Sequence, residues 1–253
     1  MDDRGKSPQR TRSEPDRDPT IRVADIAVVA TLIGNRTRLS MLNALVDERD
    51  LPATELARRA HVSTSTASEH LAKLVVGELV AVERRGRQRR YRLADAGVAA
   101  AVEALAAIAP MRPVQSLREA TRGELLREGR TCYDHLAGRL GVQLTEALRR
   151  SGVIRRRDGA YILTSSGEKA IVDLGIDVTT LRQQRRAFAV PCLDWSERRE
   201  HLAGALGAAL AVRLFELSWI ERVGRGRAAT VTTDGLKALH SRFGLDLTNS
   251  ERR

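Results

Sequence analysis

The chain has 253 residues, 42% of them hydrophobic, which is enough for one large or two ordinary domains with buried cores. Its 43 Lys plus Arg against 32 Asp plus Glu leave a net charge of +11, which suits a polyanionic partner but does not define a fold. Aromatics make up only 3% of the chain, which argues against a stacking platform for single-stranded nucleic acid.

Met1 to Pro19 mix acidic and basic residues without an apolar core, so residues 1–20 are expected to be a disordered tail rather than a signal peptide. The longest apolar run, about Leu202 to Val212, is too short to span a bilayer. The two cysteines, Cys132 and Cys192, cannot build a disulfide framework and fit a reducing compartment. A soluble, cytoplasmic protein without a membrane partner is expected.

Helical spacing runs over Val23 to Ile33 and Thr37 to Val46, with Gly34-Asn35 between them. Thr54 is expected to cap a short helix ending at Ala60, and Ser63 to cap the next. That helix, Thr64 to Val76, places Ala67, Leu71, Leu74 and Val75 on one apolar face. Leu79 to Val82, a basic stretch and Tyr91-Arg92-Leu93 predict a β-hairpin with Gly86 near its tip. Asp95 can cap an alanine-rich helix reaching Ile108, and Pro110 and Pro113 mark a boundary. Residues 21–110 thus read as a winged helix-turn-helix domain.

An α-helix about 10–12 Å across fits the major groove of B-DNA, where base edges carry distinguishable donor and acceptor patterns. The outer face of Thr64–Val76 offers Thr64, Ser65, Thr66, Ser68, Glu69, His70 and Lys73, mostly short groups that let the backbone approach the groove floor. The helix before it completes a helix-turn-helix. Arg84, Arg85, Arg87, Arg89 and Arg90 in the hairpin can then grip phosphates or enter the minor groove. An arginine hairpin alone is as readily a solvated turn. The helix pair in front of it decides for DNA.

The residues Ile33-Gly34-Asn35-Arg36-Thr37-Arg38-Leu39-Ser40-Met41-Leu42, Glu55-Leu56-Ala57 and Ser63-x-Ser65-Thr66-Ala67-Ser68-Glu69-His70-Leu71-x-x-Leu74 resemble the ArsR/SmtB winged-helix repressors. The resemblance covers about Val23 to Ala109. It implies a homodimer formed by the first and last helices of the domain, bound to a palindromic operator in double-stranded DNA and weakened by an inducer. Metal-sensing members carry a Cys-x-Cys pair near the first helix of the helix-turn-helix, or Asp and His on the last helix. Here Ala53 to Ala60 lacks cysteine, and the last helix has Asp95 and Glu103 without histidine. Sensing is therefore expected in the second half.

That half repeats itself. His135-Leu136-Ala137-Gly138 recurs as His201-Leu202-Ala203-Gly204, followed by Gly141 and Gly207, Leu144 and Leu210, and Leu148 and Leu214. Basic hairpins follow in each copy, then Thr164-x-x-Gly167 and Thr232-x-x-Gly235. Each copy reads as helix, helix, hairpin, helix. The expected fold is mainly α with small β-hairpins (α+β): the winged helix-turn-helix, then two tandem winged-helix-like repeats at about 130–178 and 196–247. Together they would make an effector or dimer domain spanning 111–253.

On a helix, Cys132 and His135 would share a face, and Cys192 and His201 would join them only if the repeats pack helix against helix. Thiolate and imidazole suit zinc or another soft ion, and the thiols could instead meet an oxidant or a metalloid. The plainer reading buries the cysteines as small apolar residues and uses Asp134 and Asp194 as helix caps, Asp194 with Glu197 at capping-box spacing. A third reading places an organic ligand near Tyr133, Phe188 and Trp195. No cofactor is required, and no phosphate loop, nucleophile elbow or zinc-protease motif suggests an enzyme. The reading is a sequence-specific DNA-binding regulator, a repressor released by an effector. Its alternatives are a non-sensing architectural protein and a module whose repeats bind a protein partner.

Overall fold

Asp25 opens the first helix: its carboxylate accepts from the amides of Ala27 and Val28 at the start of α1 (Ile26–Ile33). The computed structural model describes residues 24–247, apart from 49, 87, 111, 112, 115 and 225. The expected tail and Arg87 lie outside the described residues. Asn35 caps α2 (Arg36–Asp47), and β1 (Leu51–Pro52), α3 (Ala53–Ala60) and α4 (Thr64–Val76) follow. The hairpin is β2 (Val80–Arg85) with β3 (Gln88–Leu93), and Asp95 caps α5 (Ala96–Ile108).

Two details differ from expectation. Leu51 and Pro52 form a strand that pairs antiparallel with Tyr91 and Arg90, so the wing is a three-stranded sheet in the order β1-β3-β2. Thr54 does not cap α3. The helix begins at Ala53 behind Pro52, which holds an extended conformation and makes no side-chain cap; its fixed φ and absent amide proton suit a position where a strand turns into a helix. Met41, Leu42, Leu45, Leu56, Leu71 and Leu74 are fully buried beneath the sheet. Each such side chain contributes about 1.5–3 kcal/mol of transfer free energy.

The second half opens with α6 (Leu117–Glu128) and the hairpin β4 (Arg130–Cys132) and β5 (His135–Ala137). Next come α7 (Gly138–Arg150), the hairpin β6 (Ile154–Arg157) and β7 (Ala160–Leu163), α8 (Ser165–Asp173) and α9 (Val178–Arg182). The order hairpin, helix, hairpin, helix then recurs as β8 (Val190–Leu193), β9 (Glu200–Ala203), α10 (Gly204–Glu216), β10 (Ile220–Arg222), β11 (Ala229–Val231) and α11 (Thr233–Phe243). Leu148, Ile154, Ile171, Leu206 and Leu214 anchor one shared core under both runs.

The helix expected at the head of each run is a hairpin instead. Tyr133 takes a left-handed φ of 57° in the two-residue turn that sets Cys132 opposite His135. In the second run Asp194 accepts from the amides of Ser196 and Glu197. That is the local bonding of a cap, but the chain continues into a turn and then β9 rather than a helix.

Candidate nucleic-acid interface and a Cys/His cluster

The α4 helix is held from below and open above. Ser63 caps it, accepting from the Thr66 amide at 3.1 Å, and Ala67, Leu71 and Leu74 are buried. Thr64, Ser65, Ser68, Glu69 and Lys73 are exposed, while Thr66 and His70 are half-buried. The Ser68 hydroxyl donates to the Thr64 carbonyl at 2.9 Å, which leaves its oxygen free to accept from outside. His61 adopts a left-handed conformation, with φ 55°, and makes the tight turn between α3 and α4.

The wing arginines fall into two groups. Asp50 pairs with Arg85 at 3.0 Å and with Arg90 at 2.8 Å, so these two are engaged within the chain. Arg84 and Arg89 are exposed and directly opposite each other across the β2–β3 ladder, with no carboxylate partner among the described residues. Like charges opposite each other weaken a strand pair. A phosphate between them removes that repulsion, so the geometry suits a polyanion.

The second constellation joins the two runs of the C-terminal half. Cys132 and His135 face each other across the β4–β5 hairpin, and Cys192 and His201 are partnered across β8–β9. The ligand atoms of all four lie within 4.8 Å of one another. The packing is hairpin to hairpin, not the helix-to-helix contact that sequence spacing suggested. Two glycines make it close: a Cβ on Gly207 would lie 3.3 Å from the His135 Cβ and 2.4 Å from the Leu202 carbonyl oxygen. Gly141 is the counterpart, with the His201 Cβ at 3.6 Å and the Leu136 oxygen at 2.4 Å. Each run therefore leaves space for the histidine of the other.

The two imidazoles turn Nε2 toward each other at 3.2 Å. Behind them, Asp134 Oδ1 lies 3.1 Å from His135 Nδ1 and Asp194 Oδ2 lies 3.4 Å from His201 Nδ1. Asp194 is fully buried and also takes Arg130 Nη2 at 2.9 Å and the Gly138 amide at 2.7 Å. Burial pushes its carboxyl up, but the Arg130 charge and hydrogen bonds from Ser196, Gly138 and Glu197 hold it down at about 2. Hydrogen bonding to Cys192 and burial together push the Cys132 thiol up. Cys132 and the two imidazoles instead favour the thiolate at Cys192 and pull its pKa down.

Sequence reasoning missed the link between the halves. Arg227, in the β10–β11 connection, forms ion pairs with Asp47 at the end of α2 and with Glu103 on α5. Arg122 on α6 also reaches Asp47, and Arg198 donates to the Ala107 carbonyl of α5. No local pattern marks partners 75 or more residues apart; an unexplained Glu103 on an otherwise alanine-rich helix was the available clue.

A capped recognition helix behind a tight turn, with an arginine-bearing three-stranded wing, defines a winged helix-turn-helix DNA-binding protein. Residues 35–82 match the family described as "Bacterial regulatory protein, arsR family". The chain is 46% identical over 211 residues to the HTH-type transcriptional regulator YdfF of Bacillus subtilis (strain 168), covering 83% of this chain and 93% of that one. Among solved structures, reduced HlyU from Vibrio cholerae N16961 is 31% identical, covering 32% of this chain and 83% of its own, with a TM-score of 0.30. The transcriptional repressor BigR from Xylella fastidiosa is 28% identical, covering 34% and 88%, with a TM-score of 0.32. The chain belongs to the ArsR family of HTH-type transcriptional regulators and is not an enzyme. Among the described residues, no helix is long and apolar enough to cross a membrane.

Proposed function

We propose that this regulator is a cytoplasmic homodimeric repressor that reads a palindromic operator in double-stranded DNA. Residues 21–110 bind DNA, and residues 111–253 carry the effector site. The exposed face of α4 (Thr64, Ser65, Ser68, Glu69 and Lys73, with Thr66 and His70 at its edge) reads bases, and Arg84 and Arg89 grip phosphates. Arg85, Arg87 and Arg90 complete the basic wing. The exposed apolar side chains Ile26 and Val28 on α1, with Leu105 and Ile108 on α5, supply a surface for a second copy. An effector acting on Cys132, His135, Cys192 and His201, either a metal or metalloid ion or a thiol-reactive species, lowers DNA affinity.

The observation that carries this reading is the pair Arg84 and Arg89, set without a carboxylate partner among the described residues beside an α4 helix whose outer face is polar. The test is fluorescence anisotropy with duplexes selected from a random library, compared with unselected duplex, before and after effector addition. Selection of a palindrome bound at least about 10³-fold more tightly than unselected DNA supports it. Equal affinity for both would leave a non-specific architectural protein.

A further inference from the structure

We propose that Cys132, His135, Cys192 and His201 close a tetrahedral site for a divalent cation of the zinc class, with one Cys and one His from each repeat. The assignment rests on the reading of this cluster as the effector site and names its ligand. It lies outside both metal positions implied by the family resemblance: α3 lacks cysteine, α5 lacks histidine, and Glu103 is already engaged by Arg227.

The first support is distance. A tetrahedral site with bonds of about 2.0–2.3 Å sets its ligand atoms roughly 3.3–3.8 Å apart. The four donors here already lie within 4.8 Å of one another, so a contraction of about 1 Å in the widest pair closes the shell.

The second is the orientation of the rings. A neutral imidazole that donates from Nδ1 presents only a lone pair at Nε2. Asp134 fixes His135 in this way, whereas His201 Nδ1 lies 3.4 Å from Asp194 Oδ2 without a hydrogen bond, and the two Nε2 atoms face each other at 3.2 Å. A cation between the rings would take a lone pair from each Nε2 and turn the unpartnered His201 Nδ1 into a donor facing Asp194. A carboxylate at Nδ1 fixes the tautomer of a metal-bound histidine and raises its basicity; Asp134 already holds His135 so, and Asp194 stands beside His201.

The third is charge and closure. Asp134 is paired with Arg186 at 2.5 Å and Asp194 with Arg130 at 2.9 Å, so both outer carboxylates are already neutralised. Two thiolates and one divalent cation then sum to zero, which avoids leaving a net charge in the interior. Cys132 is 2% exposed, His135 7% and His201 1%, with Cys192 half-buried, so three of the four donors are shut away from water. Sulfur and nitrogen donors in a closed shell select zinc-class ions over magnesium or calcium, which take oxygen. A proton shared between the two rings is the competing occupant.

The test is titration of the reduced, metal-stripped full chain with Co²⁺, followed by Zn²⁺. The expected result is one Co²⁺ per chain with intense tetrahedral ligand-field bands and thiolate-to-cobalt charge transfer, displaced by one Zn²⁺. Cys132→Ser and Cys192→Ser should each diminish the charge-transfer band. Asp134→Asn should lower affinity about 10–100-fold while leaving the band positions unchanged. No uptake by the wild-type chain, a weak six-coordinate spectrum, or charge transfer insensitive to both serine variants would each overturn the site. DNA anisotropy on the same samples separates the two claims. The expected spectrum with unchanged DNA affinity upholds the metal site and overturns its effector role; a peroxide response without metal uptake does the reverse.

Discussion

Arg227 Nε lies 2.8 Å from Asp47 Oδ1, with both side chains less than 15% exposed, and this contact joins the C-terminal half to the DNA-binding half. Arg227 also pairs with Glu103 on α5 and lies close enough to Cys132 for the thiol to feel its charge. One guanidinium thus touches two helices of the winged domain while bordering the Cys/His cluster.

Removing one partner of such a pair leaves an uncompensated, nearly buried charge. Arg227→Met is expected to cost about 3–5 kcal/mol, whereas Arg227→Met combined with Asp47→Asn and Glu103→Gln should recover part of it. Urea unfolding checks this. Single and triple variants of equal stability would show that the three side chains do not interact.

In the wing, Arg84→Ala with Arg89→Ala should weaken selected and unselected duplexes alike. The slope of log affinity against log salt should fall by about 0.9 for each lost phosphate contact. Arg85→Ala should cost less, because Arg85 must leave Asp50 before it can serve a phosphate. Anisotropy across a salt series reads both, and an unchanged slope in the double variant removes the wing from the interface.

Ser65 and Glu69 project from α4 without reaching the core. Ser65→Ala and Glu69→Ala should therefore leave stability within about 0.5 kcal/mol while eroding discrimination by about 1–3 kcal/mol at single operator positions. Competition with single-position operator variants is the measurement. Uniform loss across all sequences would assign these residues to the backbone instead.

Val28 on α1 and Ile108 on α5 are exposed at 54% and 77% on the two helices proposed to meet a second copy. Val28→Asp with Ile108→Asp should convert a dimer to a monomer in light scattering and abolish preference for palindromes over half-sites. A double variant that still elutes with the mass of a dimer would place the interface elsewhere.

Glu55 on α3 accepts from Arg58 and Arg59, and those hydrogen bonds, partly opposed by burial, hold its carboxyl at about 2 against an ordinary 4.5. A folded-state pKa below the unfolded one means the contribution is complete above about pH 4.5 and is lost as pH falls toward 2. Carboxyl carbon shifts followed by NMR should show Glu55 titrating well below the other glutamates. Titration of Glu55 near its ordinary value would mean the arginine pair does not persist in solution.

The winged domain was legible because its signals are local. Ser63 and Asp95 cap helices, Leu71 and Leu74 recur at helical spacing, and Gly86 sits at the turn between alternating strands. The strand Leu51–Pro52 was not, since two residues carry no period and the pairing partner lies forty residues on. For the cluster, the repeated His-Leu-Ala-Gly and the two Cys-x-Asp segments singled out four side chains that the fold brings together, but Cys132 and His135 suggested one helix face because i,i+3 spacing is also compatible with a two-residue turn. The glycines six residues beyond each histidine were visible as a pattern. Their purpose, admitting the opposite run's histidine, exists only in the packed state.

The reciprocity of Gly141 with His201 and Gly207 with His135 has a consequence for dosage. Donors gathered at an interface between two chains meet only when protein is abundant enough to associate. Here both halves are tethered on one polypeptide, so the second pair arrives at an effective concentration fixed by the connecting chain. For the metal site proposed above, occupancy would then depend on the concentration of the ion and not on how many copies of the regulator a cell holds.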